Sequence, residues 1–522
     1  LLFRVWIPKR SLQTPIPSNI MIRYPKAGTK NPKLELKVWD SKKANEIIPV
    51  TPPPEVLNHG EYLYTAATWI TDDRLSIIWM NRIQNWSIMS ECEEEENKGY
   101  VCKKVGKELE EPKGWIDLFQ PPRYDLKGEA FIQIRPPPIN NKNELRFNQI
   151  FYFKKSEGNG GQFLTNGDFA VVSILDWNKD LIYFIGTRPN YPGKRHLYSV
   201  DLEGKLKCIT CSSECEYVTA SFPHRTEANK PRKYVQKCSS PIKVPEVTLR
   251  NIDTHKVVTV IEDNSHLELL LQNKTLPKRW DLTEPISDDK RFSAPVSLLL
   301  PMDFDKNKKY PTLVYVYGGP GSQEINYAWK SPAWPEYLVT SRKIIYMIID
   351  GRGTGFQSIE ITQSIQKKFQ FIDEERTGIW GWSYGGYVTL QSLIQDENDV
   401  FSCGISVAPP TDWLFYDSVY TERYMGLPTD NDNKAGYEKA SVLNSVESLR
   451  NKSLFINHGT ADDNVHYQQS MMLIKELELR NIEFKEATYP DENHGLRGVS
   501  PFLYHQMDKF LGKCFGFIVS AS

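Results

Sequence analysis

Polar and apolar positions change rhythm near residue 295, and the two halves of the chain follow different periods. In the first half, short apolar runs follow polar turns. The turns fall at Asp72-Asp73, Lys127-Gly128, Asn178-Lys179-Asp180 and Glu227-Ala228-Asn229-Lys230, about 50 residues apart, a spacing of repeated supersecondary units. The runs behind the first three, at 75–79, 130–134 and 181–185, are rich in Ile and aromatic residues, which predicts strands. A fainter unit starts near Gly28 and reaches 34–39. Four or five such units of four short strands predict part of a β-propeller over residues 1–265, with an irregular β-sandwich as the alternative.

In the second half, buried strands alternate with helical stretches, as at 343–350 and 468–480. That alternation predicts a doubly wound α/β domain over residues 266–522.

One pentapeptide in this domain carries chemistry. Gly381-Trp382-Ser383-Tyr384-Gly385 is a G-x-S-x-G sequence between a short apolar run at 377–380 and a helical stretch at 386–393. A strand turning sharply into a helix lifts a serine hydroxyl clear of the backbone, and small flanking glycines permit the turn. A serine is a weak nucleophile without a base, and the base needs an orienting acid. Downstream, an apolar run ends in a loop bearing Asp462 and Asp463, and another ends in a loop bearing His494. The order Ser, Asp, His is that of an α/β-hydrolase sheet, with active residues at the carboxyl ends of strands. His494 is the favoured base, with His458 and His466 as rivals; Asp462 is the favoured acid, and spacing does not separate it from Asp463. The carbonyl oxygen of a substrate needs donors as charge develops on it. The backbone N–H of Tyr384 is one. Tyr317, where the strand 312–317 breaks into Gly318-Gly319-Pro320-Gly321, offers its phenol as another.

Composition narrows the setting. With net charge −1 and 25% charged residues, the chain has no basic surplus for nucleic acid. No apolar run reaches the roughly 18–20 residues of a membrane span. Leu1 to Trp6 reads as the middle of an element, so the sequence is expected to be an incomplete chain without a visible leader. The acidic run 91–96 reads as a solvated hairpin tip, and no Walker loop, dinucleotide fingerprint or H-E-x-x-H is present. Eight cysteines occur, at 92, 102, 208, 211, 215, 238, 403 and 514. Four of them (Cys208, Cys211, Cys215, Cys238) fit a four-thiolate zinc site; the alternative is a set of disulfides. N-x-S/T sequons at Asn85, Asn273 and Asn451 lean toward the oxidising, glycosylating route.

At this point the sequence resembles the prolyl dipeptidyl peptidases. The resemblance runs from Tyr24-Pro25-Lys26-Ala27-Gly28 to Cys514-Phe515. It is carried by G-W-S-Y-G-G-Y at 381–387, Y-D-S-V-Y-T-E-R-Y-M-G-L-P at 416–428 and H-G-T-A-D-D-N-V-H at 458–466. It implies a β-propeller joined to an α/β-hydrolase domain that removes two residues from peptide N-termini after proline or alanine, some members also cutting after internal Gly-Pro. It implies the triad Ser383, Asp462 and His494 and an oxyanion tyrosine at Tyr317 beside Tyr384. It implies a proline pocket of Tyr416, Tyr420, Trp413, Val465 and Tyr384. A flat aromatic box suits a pyrrolidine ring. It further implies a carbonyl-binding Asn464 and an outer-subsite aromatic at Phe119. The implied disulfides are Cys92–Cys102, Cys208–Cys211, Cys215–Cys238 and Cys403–Cys514. The resemblance also implies a homodimer, no cofactor or metal, and a place outside the plasma membrane, anchored by a span missing from this chain or secreted.

Two departures set the expectations apart from the family. The family's N-terminal portion, with its membrane anchor, first blades, amine-gripping glutamate pair and carbonyl-binding arginine, has no counterpart here. Gln370 also runs almost directly into Phe371, where the family carries a longer stretch forming the helix before the nucleophile strand. A parallel crossover normally needs a helix, so one face of the sheet is expected to be uncovered. The alternative to a working peptidase is therefore a catalytically impaired, incomplete member acting as a binding or scaffold protein.

Overall fold

A computed structural model describes residues 4–9, 18–41, 46–118, 120–138, 146–158, 160–178, 180–223, 232–285, 293–351 and 357–519. Its first half contains four antiparallel four-stranded units. They are Tyr62–Trp69 to Gly99–Glu110, Arg123–Tyr124 to Gln162–Phe163, Val171–Asn178 to Leu206–Cys208, and Tyr217–Ser221 to Val257–Glu262. The last two touch through one parallel pair, Arg195 with Tyr217. Two more strands, Leu36–Trp39 and Ile47–Thr51, extend the first unit. These are propeller blades with apolar clusters shared between neighbouring units, and inner strands such as Leu181–Arg188 are buried along almost their whole length.

The second half is one eight-stranded sheet. Its strands are β1 (Lys278–Pro285), β2 (Ser293–Leu300), β3 (Tyr310–Val316), β4 (Ile345–Ile349), β5 (Ile372–Trp382), β6 (Cys403–Val407), β7 (Ser453–Gly459) and β8 (Lys485–Tyr489). They lie in the order β1-β2-β4-β3-β5-β6-β7-β8, parallel from β4 onward. Both faces are covered, as a parallel sheet requires. Adjacent residues of β3 point to opposite cores: Val314 packs with Ile379 and Leu390, Leu313 with Trp380 and Phe455.

The expected loss of the crossover helix is not what the structure shows. Helix α1 (Gln357–Lys368) links β4 to β5. Ile361 and Ile365, four residues apart, turn one apolar face onto the sheet and are buried in its core. Gln366 Nε2 donates to Thr377 Oγ1 at 3.1 Å, and Lys368 Nζ pairs with Glu284 at 2.6 Å. The stretch before Gln370 therefore supplies the covering helix. Strand β5 is also longer than the run at 377–380, starting at Ile372.

All eight cysteines are joined as disulfides: Cys92–Cys102, Cys208–Cys211, Cys215–Cys238 and Cys403–Cys514. The four thiolates weighed as a zinc site are thus consumed in two bridges. Among the described residues no helix is long and apolar enough to cross a membrane.

Candidate active site

Ser383 stands between β5 and helix α2 (Tyr384–Gln395) at φ 60° and ψ −121°, a conformation that L-residues avoid. The glycines explain how the turn closes. A Cβ on Gly381 would strike the carbonyl of Gly385, and one on Gly385 would strike the carbonyl of Val316. The Ser383 N–H donates to the Val407 carbonyl of β6 at 2.8 Å, which ties the elbow to the sheet.

Asp462 and His494 follow β7 and β8. His494 Nδ1 lies 2.7 Å from Asp462 Oδ2, and Trp382 Nε1 donates to the His494 carbonyl at 3.0 Å. Asp462 Oδ1 accepts the N–H groups of Asn464 and Val465 at 3.0 and 2.9 Å. Burial pushes the Asp462 carboxyl up, but hydrogen bonds from His458 and His494 outweigh it and hold the group at about 2. Asp463 is exposed. His458, a rival for the base, lies behind the acid: its Nε2 is 3.1 Å from Asp462 Oδ2 and 2.8 Å from the Val465 carbonyl, and its Nδ1 is 2.7 Å from Ser470 Oγ. His466, the other rival, is buried against Tyr24, and burial followed by the charge of Lys26 lowers it to about 4.

The remaining candidates surround a cavity of about 360 Å³ that Ser383 and His494 line. Tyr317 faces it from the end of β3. Burial raises its phenol, Glu324 adds to the rise, and a hydrogen bond with Ser383 pulls it back. Tyr384, Trp413, Tyr416 and Tyr420 form an aromatic box in the same cavity. Ring centroids stand 5.4 Å apart for Tyr384–Trp413, 6.3 Å for Trp413–Tyr420 and 5.5 Å for Tyr416–Tyr420. Asn464 also lines it and accepts the Tyr416 hydroxyl at 2.8 Å. Val465 is 0% exposed and is not among the residues that line the cavity. Phe119 lies outside the described residues.

Residues 357–517 match the model of the prolyl oligopeptidase family, and residues 5–245 match that of the dipeptidyl peptidase IV N-terminal region. Dipeptidyl peptidase 4 of Sus scrofa is 36% identical over 96% of this chain and 67% of its own length. The chain belongs to the prolyl dipeptidyl peptidase family. Prolyl endopeptidase FAP of Bos taurus is 35% identical over the same 96% and over 67% of its length. The crystal structure of Porphyromonas gingivalis dipeptidyl peptidase 4 superposes with a TM-score of 0.84 at 27% identity, covering 98% of this chain and 71% of that one. The chain thus spans about two thirds of the length of the curated relatives it matches. By its family it is classed as an enzyme, a serine-type dipeptidyl peptidase.

Two supports of this family site escaped the sequence reading. Helix α3 (Ser418–Met425), which carries Tyr420, is strapped from below by the segment around Pro25. The Ala27 N–H donates to the Tyr416 carbonyl at 3.1 Å, Ser418 donates to the Pro25 carbonyl at 3.0 Å, and Gly28 donates to Glu422 Oε1 at 2.8 Å. Glu422, 1% exposed, is also gripped in bidentate fashion by Arg82 of the propeller, at 2.7 Å from Nε and 2.7 Å from Nη2. The motif at 416–428 carries the family resemblance, but partners 340 and 394 positions away leave no local pattern. Of the sequons, Asn273 and Asn451 are exposed, whereas Asn85 is half-buried with Oδ1 accepting from Asn81.

Proposed function

We propose that this chain is a serine peptidase that removes N-terminal dipeptides after proline or alanine, and also cuts after internal Gly-Pro, through an acyl-enzyme. The observation that carries the reading is one cavity joining a strained Ser383, a His494 bonded to Asp462, the Tyr317 phenol and a four-ring aromatic box. In this reading Ser383 Oγ attacks the carbonyl while His494 takes its proton. Asp462 fixes the imidazole with Nδ1 protonated and stabilises its charged form. The Tyr317 hydroxyl and the Tyr384 N–H receive the developing oxyanion. His494 then returns the proton to the leaving amine, and water completes the second half. The box of Trp413, Tyr416, Tyr420 and Tyr384 takes the proline ring, and Asn464 takes a substrate carbonyl. The natural substrates are peptides with proline second from the N-terminus. The protein works outside the cell, glycosylated at Asn273 and Asn451, as a homodimer.

A silent binding role would leave the backbone strain at Ser383 without purpose, and the presence of α1 removes one of its two supports. The test is Ser383→Ala, which should lower turnover on a Gly-Pro amide by on the order of 10⁶. An organophosphonate probe should label the wild type alone. Equal labelling of the variant would refute the assignment.

A further inference from the structure

One charged side chain in the cavity has no part in the chemistry above. Glu324 lines the space shared by Ser383, Tyr317 and His494. Its place is fixed from two directions. Its N–H donates to Asp350 Oδ1 at 3.0 Å, and the N–H of Ile325 donates to Asp350 Oδ2 at 2.8 Å. Asp350 directly follows β4, so the sheet sets the height of the loop. The residue before it is held by the propeller: Arg195 Nη2 donates to Gln323 Oε1 at 2.7 Å, and Gln323 Nε2 donates to the Pro192 carbonyl at 3.0 Å. Among the described residues the carboxylate itself is loosely matched. Lys330 Nζ stands 3.9 Å from Oε2, and its side chain is 54% exposed. An exposed pair at that distance contributes little. Burial raises the Glu324 carboxyl, with Lys330 opposing and Asp350 adding to the rise. A further cation brought into the cavity would relieve that burden.

The strand order places Glu324 along the substrate. Its loop is tied to Asp350 at the end of β4, on one side of Ser383 at the end of β5. Trp413, Tyr416 and Tyr420 of the box follow β6, on the other side. The acyl half of a substrate fills the box and its carbonyl meets Tyr317. The part of the cavity that Glu324 faces is left to the segment that departs.

We propose that Glu324 is a specificity residue for the leaving segment, receiving the lysine or arginine side chain of the first or second residue after the scissile bond. This rests on the peptidase reading above. The experiment measures kcat/KM for Ala-Pro-Lys-Ala-Ala against Ala-Pro-Gln-Ala-Ala, and for the pair with Lys or Gln moved one residue on. In the wild type, the Lys peptide of at least one pair should be preferred roughly tenfold, the scale of one charge-assisted hydrogen bond. Glu324→Gln should bring the ratio near one and Glu324→Lys below one. Each pair differs at one residue, so any general loss of activity cancels. A wild-type ratio near one, or a ratio unmoved by either variant, overturns the proposal. So does a Glu324→Gln variant that keeps the ratio and loses the preference for a free over an acetylated amino terminus, since Glu324 would then hold the amine. If the wild type cleaves neither peptide, the peptidase reading fails. The inference is then read from fluorescence polarisation with the same peptides labelled: tighter binding of the Lys peptide that Glu324→Gln removes supports it, and equal binding overturns it.

Discussion

The nucleophile corner and the aromatic box share one cavity but are assembled on opposite principles. Ser383, Asp462 and His494 each sit on a turn directly after a strand of one sheet, and their holders are mostly close in sequence. Asp462 is fixed by the N–H groups two and three residues on, and by His458 four residues back. The box depends on distant chain. Its helix α3 is clasped by the segment 25–28 and by Arg82, nearly four hundred and about 340 positions away. In the proposed reading, reaction chemistry is written into turns at strand ends, whereas selectivity for the ring rests on contact between the two halves of the molecule. A stretch cut from either half would harm the two functions unequally.

The sharpest way to break the corner alone is Tyr317→Phe, which keeps the ring and removes the hydroxyl. Turnover should fall roughly 10²–10³-fold, with little change in the affinity of a dipeptide product. Unchanged turnover would leave Tyr317 a structural aromatic. To break the clasp instead, Glu422→Gln keeps the shape and removes the charge that Arg82 grips. Breaking a buried pair is costly, but Arg82 retains Glu61 at 2.9 Å. A loss of about 2 kcal/mol in urea unfolding is expected, a charge-assisted bond or so, together with a reduced preference for proline over alanine. A variant that loses stability while keeping the preference would show that the clasp does not shape the box.

The smallest effect concerns His466, buried behind the acid loop among Tyr24, Lys26, Asp462, Asp463 and His458. Its folded value of about 4 lies below the ordinary 6.5. Between those values the unfolded chain binds the proton and the folded one does not, so stability rises with pH there and is lost as pH falls from about 6.5 toward about 4. Urea midpoints at pH 7 and pH 5 should therefore differ less in His466→Gln than in the wild type. An equal drop in both would assign the acid sensitivity to other groups.

How much the sequence disclosed follows the same division. The elbow at Ser383, the order of Asp462 and His494 and the first turns of the repeat in the first half are local, and local patterns survive in a single chain; the predicted turn at 227–230 lies outside the described residues. Spacing alone did not separate Asp462 from Asp463; burial does, because only Asp462 is enclosed with two histidines to compensate it. Helix α1 was missed because its apolar face is narrow, with Ile361 and Ile365 set among polar residues. A count of residues after Gln370 pointed to a gap that the preceding stretch already fills. The Arg82–Glu422 clasp has no sequence signal, since a charged residue in a turn and another in a helix read as solvated until the fold brings them together.

The bridge from Cys403 to Cys514 closes a ring of the chain, its ends 111 positions apart. Asp462 and His494 lie inside that ring and Ser383 lies outside it. Ser383 is held to the ring by the pairing of β5 with β6, in which Gly378 stands opposite Cys403. A single peptide-bond cut at the exposed residues 429–432 would open the ring without freeing either piece. Such a nicked molecule would gain only the mass of one water, and Ser383 would stay on one covalent body with Asp462 and His494 until a reductant parted the two sulfurs.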